Sequence, residues 1–404
     1  MDRNGTSQTL RLDAYRAVNP IELPRIERLV LTSGDGDGIY VESPGTQRKF
    51  HGKGAAFVDD PDQVGLFPRE VGSWPYWYPP VYTVGISNAA LVGYRTILTP
   101  TKQFFTDEAY VESSDFQQQL TRLSTSDSFW NEGTGLRPTD RKRYFQFDRG
   151  DRIQRHVEGN VVVLCAHEPY SYGSFLFRIV PKVKAVRELG LSDAKCIVYA
   201  DPTPFRDLLS LCGISKKSIL QHDINAVTRI DRAIVPGLRT PHGYIDPESF
   251  EFYAELRALY GVRPTGRKIY VSRLSYSKGG WSTRIMLNES ELIARLKAMS
   301  FDIIEPEKLS VREQIKTFSS ASVVVGPSGS GFFNTIFCHP GTKLIDIQSE
   351  PDWIYCHTGM YSSMQLNYGI FVGKVDPADP RPVHRRWSVN IDALIARIRA
   401  FMAE

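Results

Sequence analysis

No apolar run in these 404 residues approaches the roughly 20 needed to cross a bilayer. Hydrophobic residues make up 42% and charged residues 23% of the chain, the balance of a water-soluble globular protein rather than a disordered or membrane-spanning one. The opening Met1-Asp2-Arg3-Asn4-Gly5 is polar and has none of the apolar core of a secretory signal. Cysteine is scarce: Cys165, Cys196, Cys212, Cys338 and Cys356 are five in all, with no C-x-x-C pair. An odd, scattered set argues against a disulfide framework, and His357 beside Cys356 lacks the spacing of a zinc site. A reducing cytoplasm is the expected compartment, and no metal is expected. Neither sign of charge dominates. A net charge of +4 does not call for nucleic acid, but it fits an anionic small substrate or loose contact with an acidic membrane surface. The densest basic cluster, Arg381, His384, Arg385 and Arg386, reads as a solvated face or as peripheral membrane contact. Missing too is a G-x-G-x-x-G directly after an early strand, which disfavours a nicotinamide oxidoreductase.

The most informative segment present lies late in the chain. Val323-Val324-Val325 is a β-branched run that feeds the turn Gly326-Pro327-Ser328-Gly329-Ser330-Gly331, and Asn334-Thr335-Ile336-Phe337 then reads as a short helix stopped by Pro340 and Gly341. A strand, a glycine-rich turn and a helix N-terminus make an anion site, because unpaired amides and the positive end of the dipole face the ligand. A second strand, Thr342 to Ile347, completes a βαβ unit of a parallel sheet. A nucleotide or sugar-phosphate pocket is expected there.

The length predicts two domains. Asp35-Gly36-Asp37, between Gly34 and Gly38, reads as a hairpin turn rather than as a carboxylate pair for a divalent metal. Val81 to Leu98 reads as two strands around Asn88, and Thr121 to Asp148 as surface loops and a helix. From Asn160 strands alternate with helices: Val161 to Leu164, a helix from about Ser174 to Leu189, Cys196 to Ala200, Phe205 to Cys212, Ser218 to His222 and Ala226 to Ile234. The Pro- and Gly-rich stretch Ile234 to Pro247 marks the boundary, and the second half repeats the alternation. Glu289 to Met299 is an amphipathic helix entered through Asn288 as its N-cap, and Asn390 to Ala403 is a closing helix. The expected division is 1–240 (a β-containing segment 1–150 and an α/β part 151–240), 241–380, and a helix within 381–404 that packs back on the first domain.

Lys268-Ile269-Tyr270-Val271-Ser272-Arg273, then Arg284, Asn288-Glu289, Glu305-Pro306, Glu313-Gln314 and the glycine turn with Asn334 follow an order and spacing that resembles the glycosyltransferase 61 family. Tyr172-Gly173-Ser174-Phe175-Leu176 through Pro181 resembles the family's Tyr-x-His-Trp-Leu segment. The resemblance implies a GT-B architecture, two Rossmann-like domains facing each other across a cleft. The nucleotide-sugar donor would lie on the C-terminal domain and the glycan acceptor on the N-terminal one. It further implies inverting transfer without an essential metal or cofactor, in bacterial capsular or surface polysaccharide biosynthesis. Two positions depart from the family: Ser328 and Ser174 stand where it carries His. A relative that binds nucleotide sugar or glycan without transfer is the alternative reading.

Inverting transfer needs a base for the acceptor proton and positive charge or amide dipoles for the leaving diphosphate. Arg273, Arg284 and the backbone of Ser328, Gly329, Ser330 and Gly331 are the expected diphosphate ligands, with Glu289, Gln314 and Asn334 as further donor-side contacts. His167 and Glu168, directly after a strand of the first domain, are the candidate bases, with Asp201 after the next strand in reserve. Glu289 after Asn288 and Asn334 beside the turn also admit purely structural, capping roles.

Overall fold

The computed structural model describes residues 13–26, 39–42, 49–60, 71–73, 75–78, 81–106, 121, 134–141, 143–148, 152–166, 168–200, 203–240, 243–278, 284–350, 357–382 and 384–404. The Asp35–Asp37 turn, the candidate bases His167 and Asp201, and His242 in the Pro- and Gly-rich boundary stretch lie outside them. The architecture is mixed α/β, with an N-terminal β-rich segment and a separate α/β region, consistent with a GT-B-like layout of two domains.

The first sheet has 12 strands. Its parallel part runs in the order Val227–Pro236, Gln154–Val163, Lys195–Val198, Ile219–Gln221. The β-rich segment extends this sheet antiparallel from Val227–Pro236 through Thr83–Val92 and Thr96–Leu98 to Gln103–Thr106. Thr83–Val92 passes unbroken through Asn88, which sits at φ 52; the turn expected there falls at residues 93–95 instead. Asn tolerates the left-handed region and so stays in a strand that the ladder to Val227–Pro236 holds extended. Within the stretch expected as loops and a helix, Leu136–Pro138 and Tyr144–Phe147 form an antiparallel pair at the sheet's far edge.

The second sheet has six strands in the order Asp302–Ile304, Arg267–Val271, Ala321–Pro327, Lys343–Gln348, Asn367–Val372, Phe57–Asp59, all parallel. Its central strands are buried along nearly their whole length, which explains why they read as continuous apolar runs rather than alternating ones. Phe57–Asp59 crosses the boundary expected at 240, because an early segment supplies the sheet's last strand. The closing helix Ile391–Ala403 also differs from expectation. Leu394, Ile398 and Phe401 bury against Val323, Ile345 and Phe371 of this second sheet, and Arg397 Nη2 reaches Asp59 Oδ1 at 3.1 Å. Its apolar stripe covers the sheet face nearest to it in sequence instead of returning to the first domain.

The middle layer is shared. One apolar core joins Val162, Leu164, Phe175 and Phe205 of the first domain to Val271, Phe318, Phe332 and Tyr361 of the second. Between the domains runs the segment Tyr172–Ser174, Phe175–Ile179, Lys182–Glu188, whose central turn widens so that the Val180 amide donates to Phe175 O at 3.1 Å. Gly173 makes the approach of the two halves possible: a Cβ there would stand 2.4 Å from the Phe333 ring.

Candidate functional site

The carboxyl ends of the parallel strands of both sheets meet at a cavity of about 520 Å³, within the range of small-molecule sites. The first domain contributes Tyr170, Ser171, Tyr172, Pro204 and Phe205. In the second sheet the strand order reverses between Arg267–Val271 and Ala321–Pro327, and ligands of open α/β sheets bind outside such a reversal. Arg273 follows the first of these strands, and Gly329, Ser330 and Gly331 follow the second. Arg284, Gln314, Tyr276, Glu307 and His384 complete the wall with them.

Arg273 is fixed from two sides. Its amide donates to Glu289 Oε1 at 2.8 Å and its Nη1 to Ser328 O at 2.9 Å. Burial, and then the charge of Arg284, pull its guanidinium down to about 10. Two guanidinium groups held along one wall repel each other, so an anion between them relieves both. Gly329 permits the closeness: at φ 155, a Cβ on it would lie 2.5 Å from Arg273 Nη1 and 3.6 Å from Arg284 Nη2. Glu289 lies beneath Arg273, almost fully buried. It also accepts from Ser272 Oγ at 2.9 Å and Tyr270 Oη at 3.3 Å, and burial raises its carboxyl above the usual range despite these donors. Asn288 does not cap the helix behind it. Its side chain pairs with the Val389 backbone, Nδ2 to O at 2.8 Å and N to Oδ1 at 3.2 Å.

The structure therefore brings Arg273, Arg284, Gln314, Gly329, Ser330 and Gly331 to one cavity and leaves other expected residues behind its wall. The buried Asn334 amide donates to Gln314 Oε1 at 2.7 Å and to Gly331 O at 3.1 Å, and accepts from Tyr172 Oη at 2.9 Å. Gln314 in turn donates to Pro306 O and Leu309 O at 3.0 and 3.1 Å. This chain of bonds ties the two domains at the cavity floor. Ser328 turns away from the cavity, its Oγ 3.0 Å from His357 Nδ1. Ser330 instead meets Ser171 across the domains, Oγ to Oγ at 3.2 Å. Glu168 sits at φ 50 and outside the cavity wall; its carbonyl accepts from the Ser171 amide at 3.0 Å.

Two features escaped the sequence. His357 packs against the glycine turn, edge-on to Phe333 with ring centroids 4.3 Å apart, and its Nδ1 lies 3.4 Å from Asp346 Oδ2, which also accepts from Tyr361 Oη at 2.7 Å. An imidazole absent from the turn in sequence is thus present beside it in space. His384, read as part of a solvated basic face, lines the cavity; burial and the charge of Arg284 lower its pKa from the ordinary value. The one sequence signal was the pair Asp376 and Asp379 just ahead of the arginines, opposite charges close enough in the chain for a loop to pair its own. Among the described residues no group of three or more His, Cys, Asp or Glu side chains is gathered to hold a metal ion, and no helix is long and apolar enough to cross a membrane.

The model of the glycosyltransferase 61 family matches residues 172–345, a span that begins at Tyr172 on the first domain's side of the cavity and ends in the strand after the glycine turn. No curated protein matches the chain in sequence.

Proposed function

We propose that this protein is an inverting glycosyltransferase that moves a sugar from a nucleotide-sugar donor to a glycan acceptor, in bacterial surface-polysaccharide assembly. The observation that carries the reading is the pair Arg273 and Arg284 beside Gly329 at the strand-order reversal of the second sheet, facing a cavity that both domains line. The family match over the same segment supports it. In this reading the donor's diphosphate lies between the two guanidinium groups and along the backbone of 329–331, with Tyr170, Tyr276 and Phe205 offering aromatic faces to the base or the sugar. The acceptor enters from the first domain. As its hydroxyl oxygen attacks C1, the C1–O bond to the phosphate breaks and the electron pair leaves with the diphosphate, whose growing charge the arginines stabilise. The acceptor proton goes to a base on the first domain, for which His167 and Asp201 are the candidates, Glu168 lying outside the cavity wall; nothing in the chemistry requires a metal or cofactor. The work is cytoplasmic.

The test is a thermal-shift panel of UDP, GDP, CMP and dTDP sugars against the protein and Arg273→Ala. A donor at 100 times its Kd adds about 2.7 kcal/mol, and losing a charge-assisted hydrogen bond should weaken binding roughly 10- to 100-fold. Stabilisation by one nucleotide class, lost in Arg273→Ala, is the expected result. Stabilisation with no sugar transfer or donor hydrolysis would favour a non-catalytic binder, as Ser328, turned away from the cavity, already allows.

A further inference from the structure

The loop that carries the basic cluster is braced from within rather than spread on a surface. Arg381 Nε lies 2.9 Å from Asp379 Oδ1, and the Arg386 amide donates to Asp379 Oδ2 at 2.7 Å. Arg386 Nη2 also reaches Asp376 Oδ2 at 3.2 Å, and Arg385 Nη2 reaches Glu350 Oε2 at 3.4 Å. The Asp376 amide closes the loop on Arg386 O at 2.7 Å. The arginines thus meet carboxylates, and the residue delivered to the cavity wall is His384, on left-handed backbone at φ 56. A non-glycine residue held there persists where the surroundings over-determine it, commonly at ligand sites.

His384 shares the cavity wall with Arg273 and Arg284, and the charges that act on its ring are those of Arg284, Glu350, Arg273 and, on its own loop, Arg381. Glu307 and Tyr276 line the same cavity. In the empty site, burial and the positive charge of Arg284, Arg273 and Arg381 favour the neutral imidazole, with Glu350 opposing. A diphosphate seated against Arg273 and Arg284 reverses that field and offers the ring acceptor oxygens.

We propose that His384 is a third ligand of the donor diphosphate beside Arg273 and Arg284, and that it takes up a proton from solvent as the nucleotide sugar binds. The inference rests on the nucleotide-sugar reading of the cavity. It makes His384 a charged donor to the departing diphosphate, a role distinct from that of the base on the first domain.

Calorimetric titration of the full-length protein with UDP-glucose, UDP-N-acetylglucosamine, UDP-xylose, GDP-mannose and dTDP-glucose tests it. Their diphosphates are esterified at both ends and do not titrate near neutral pH. Repeating the titration in buffers of different ionisation enthalpy counts protons directly, and needs no variant. The expected result is an uptake approaching one proton per ligand, with affinity falling by up to about tenfold per pH unit above the free-state pKa of His384. His384→Gln should abolish the uptake, flatten the profile and bind more weakly at low pH. Binding with no proton uptake, or uptake unchanged in a folded His384→Gln, overturns this proposal alone. No binding of any donor by the wild type overturns the nucleotide-sugar reading and this proposal with it.

Discussion

At the scale of single residues, the site depends on what is not there. Without a Cβ at Gly329 the Arg273 guanidinium can lie on the backbone of the turn, and Glu289, holding the Arg273 amide, fixes where that guanidinium starts. His222 shows a different use of burial. Its Nε2 lies 2.6 Å from Gly93 O, its Nδ1 is buried with no partner among the described residues, and burial holds its pKa below 6.5. The unfolded chain therefore binds a proton that the folded protein refuses. Stability should rise with pH between the folded pKa of His222 and about 6.5, with no further gain from this group above it. Denaturant midpoints at pH 5.5 and 7.5 check this; His222→Gln, which keeps a donor for Gly93, should show a smaller gap between them than the wild type. Arg273 was legible as a cavity residue because the residue after a parallel strand lies at the ligand-binding edge whatever the neighbours are. The direction of Ser328 was not, since it is decided by His357, 29 residues away along the chain.

At the scale of elements, local chemistry decides a helix start where the partners are local. Ser310-Val311-Arg312-Glu313 forms a capping box on Val311–Ser320: Ser310 Oγ accepts from the Glu313 amide at 3.3 Å, and Glu313 Oε2 accepts from the Ser310 amide at 2.8 Å. Ser310→Ala should lower unfolding stability by about 1 kcal/mol, measured by denaturant titration, with nucleotide-sugar binding unchanged, because the cap is exposed and outside the cavity wall. Asn390 likewise caps the closing helix, accepting from the Ala393 amide at 3.1 Å. Asn288 has the same signature and fails as a cap, because the Val389 backbone, 101 residues on, takes both ends of its amide. A capping residue can be read only while no distant segment competes for it.

At the scale of the whole molecule, the two sheets share one interior besides the core that each has on its other face. The core that runs from Val162 and Phe175 to Phe318 and Tyr361, with the Tyr172–Asn334–Gln314 hydrogen bonds at its edge, makes each domain part of the other's packing. Phe57–Asp59 adds a covalent reason, as the first domain's chain supplies a strand of the second sheet. Thermal unfolding should therefore be one cooperative transition, with calorimetric and van't Hoff enthalpies in agreement. Two resolved transitions would show that the shared core does not couple the halves. The boundary near 240 was visible as proline and glycine, but a strand that joins a sheet more than 300 residues later leaves no local mark.

The sequence by itself determined the alternation of strands and helices, the late glycine turn and the arginine that follows the first strand of the second sheet. These are set by burial, by φ preference and by the fixed geometry of a parallel strand's end, all of which act over a few residues. Tertiary structure alone decided which side chains the turn meets, that a histidine from a charge-paired loop reaches the cavity, and that the closing helix covers the second sheet. Those outcomes depend on packing and on electrostatic fields between segments far apart in the chain, and such interactions have no period or spacing to be read.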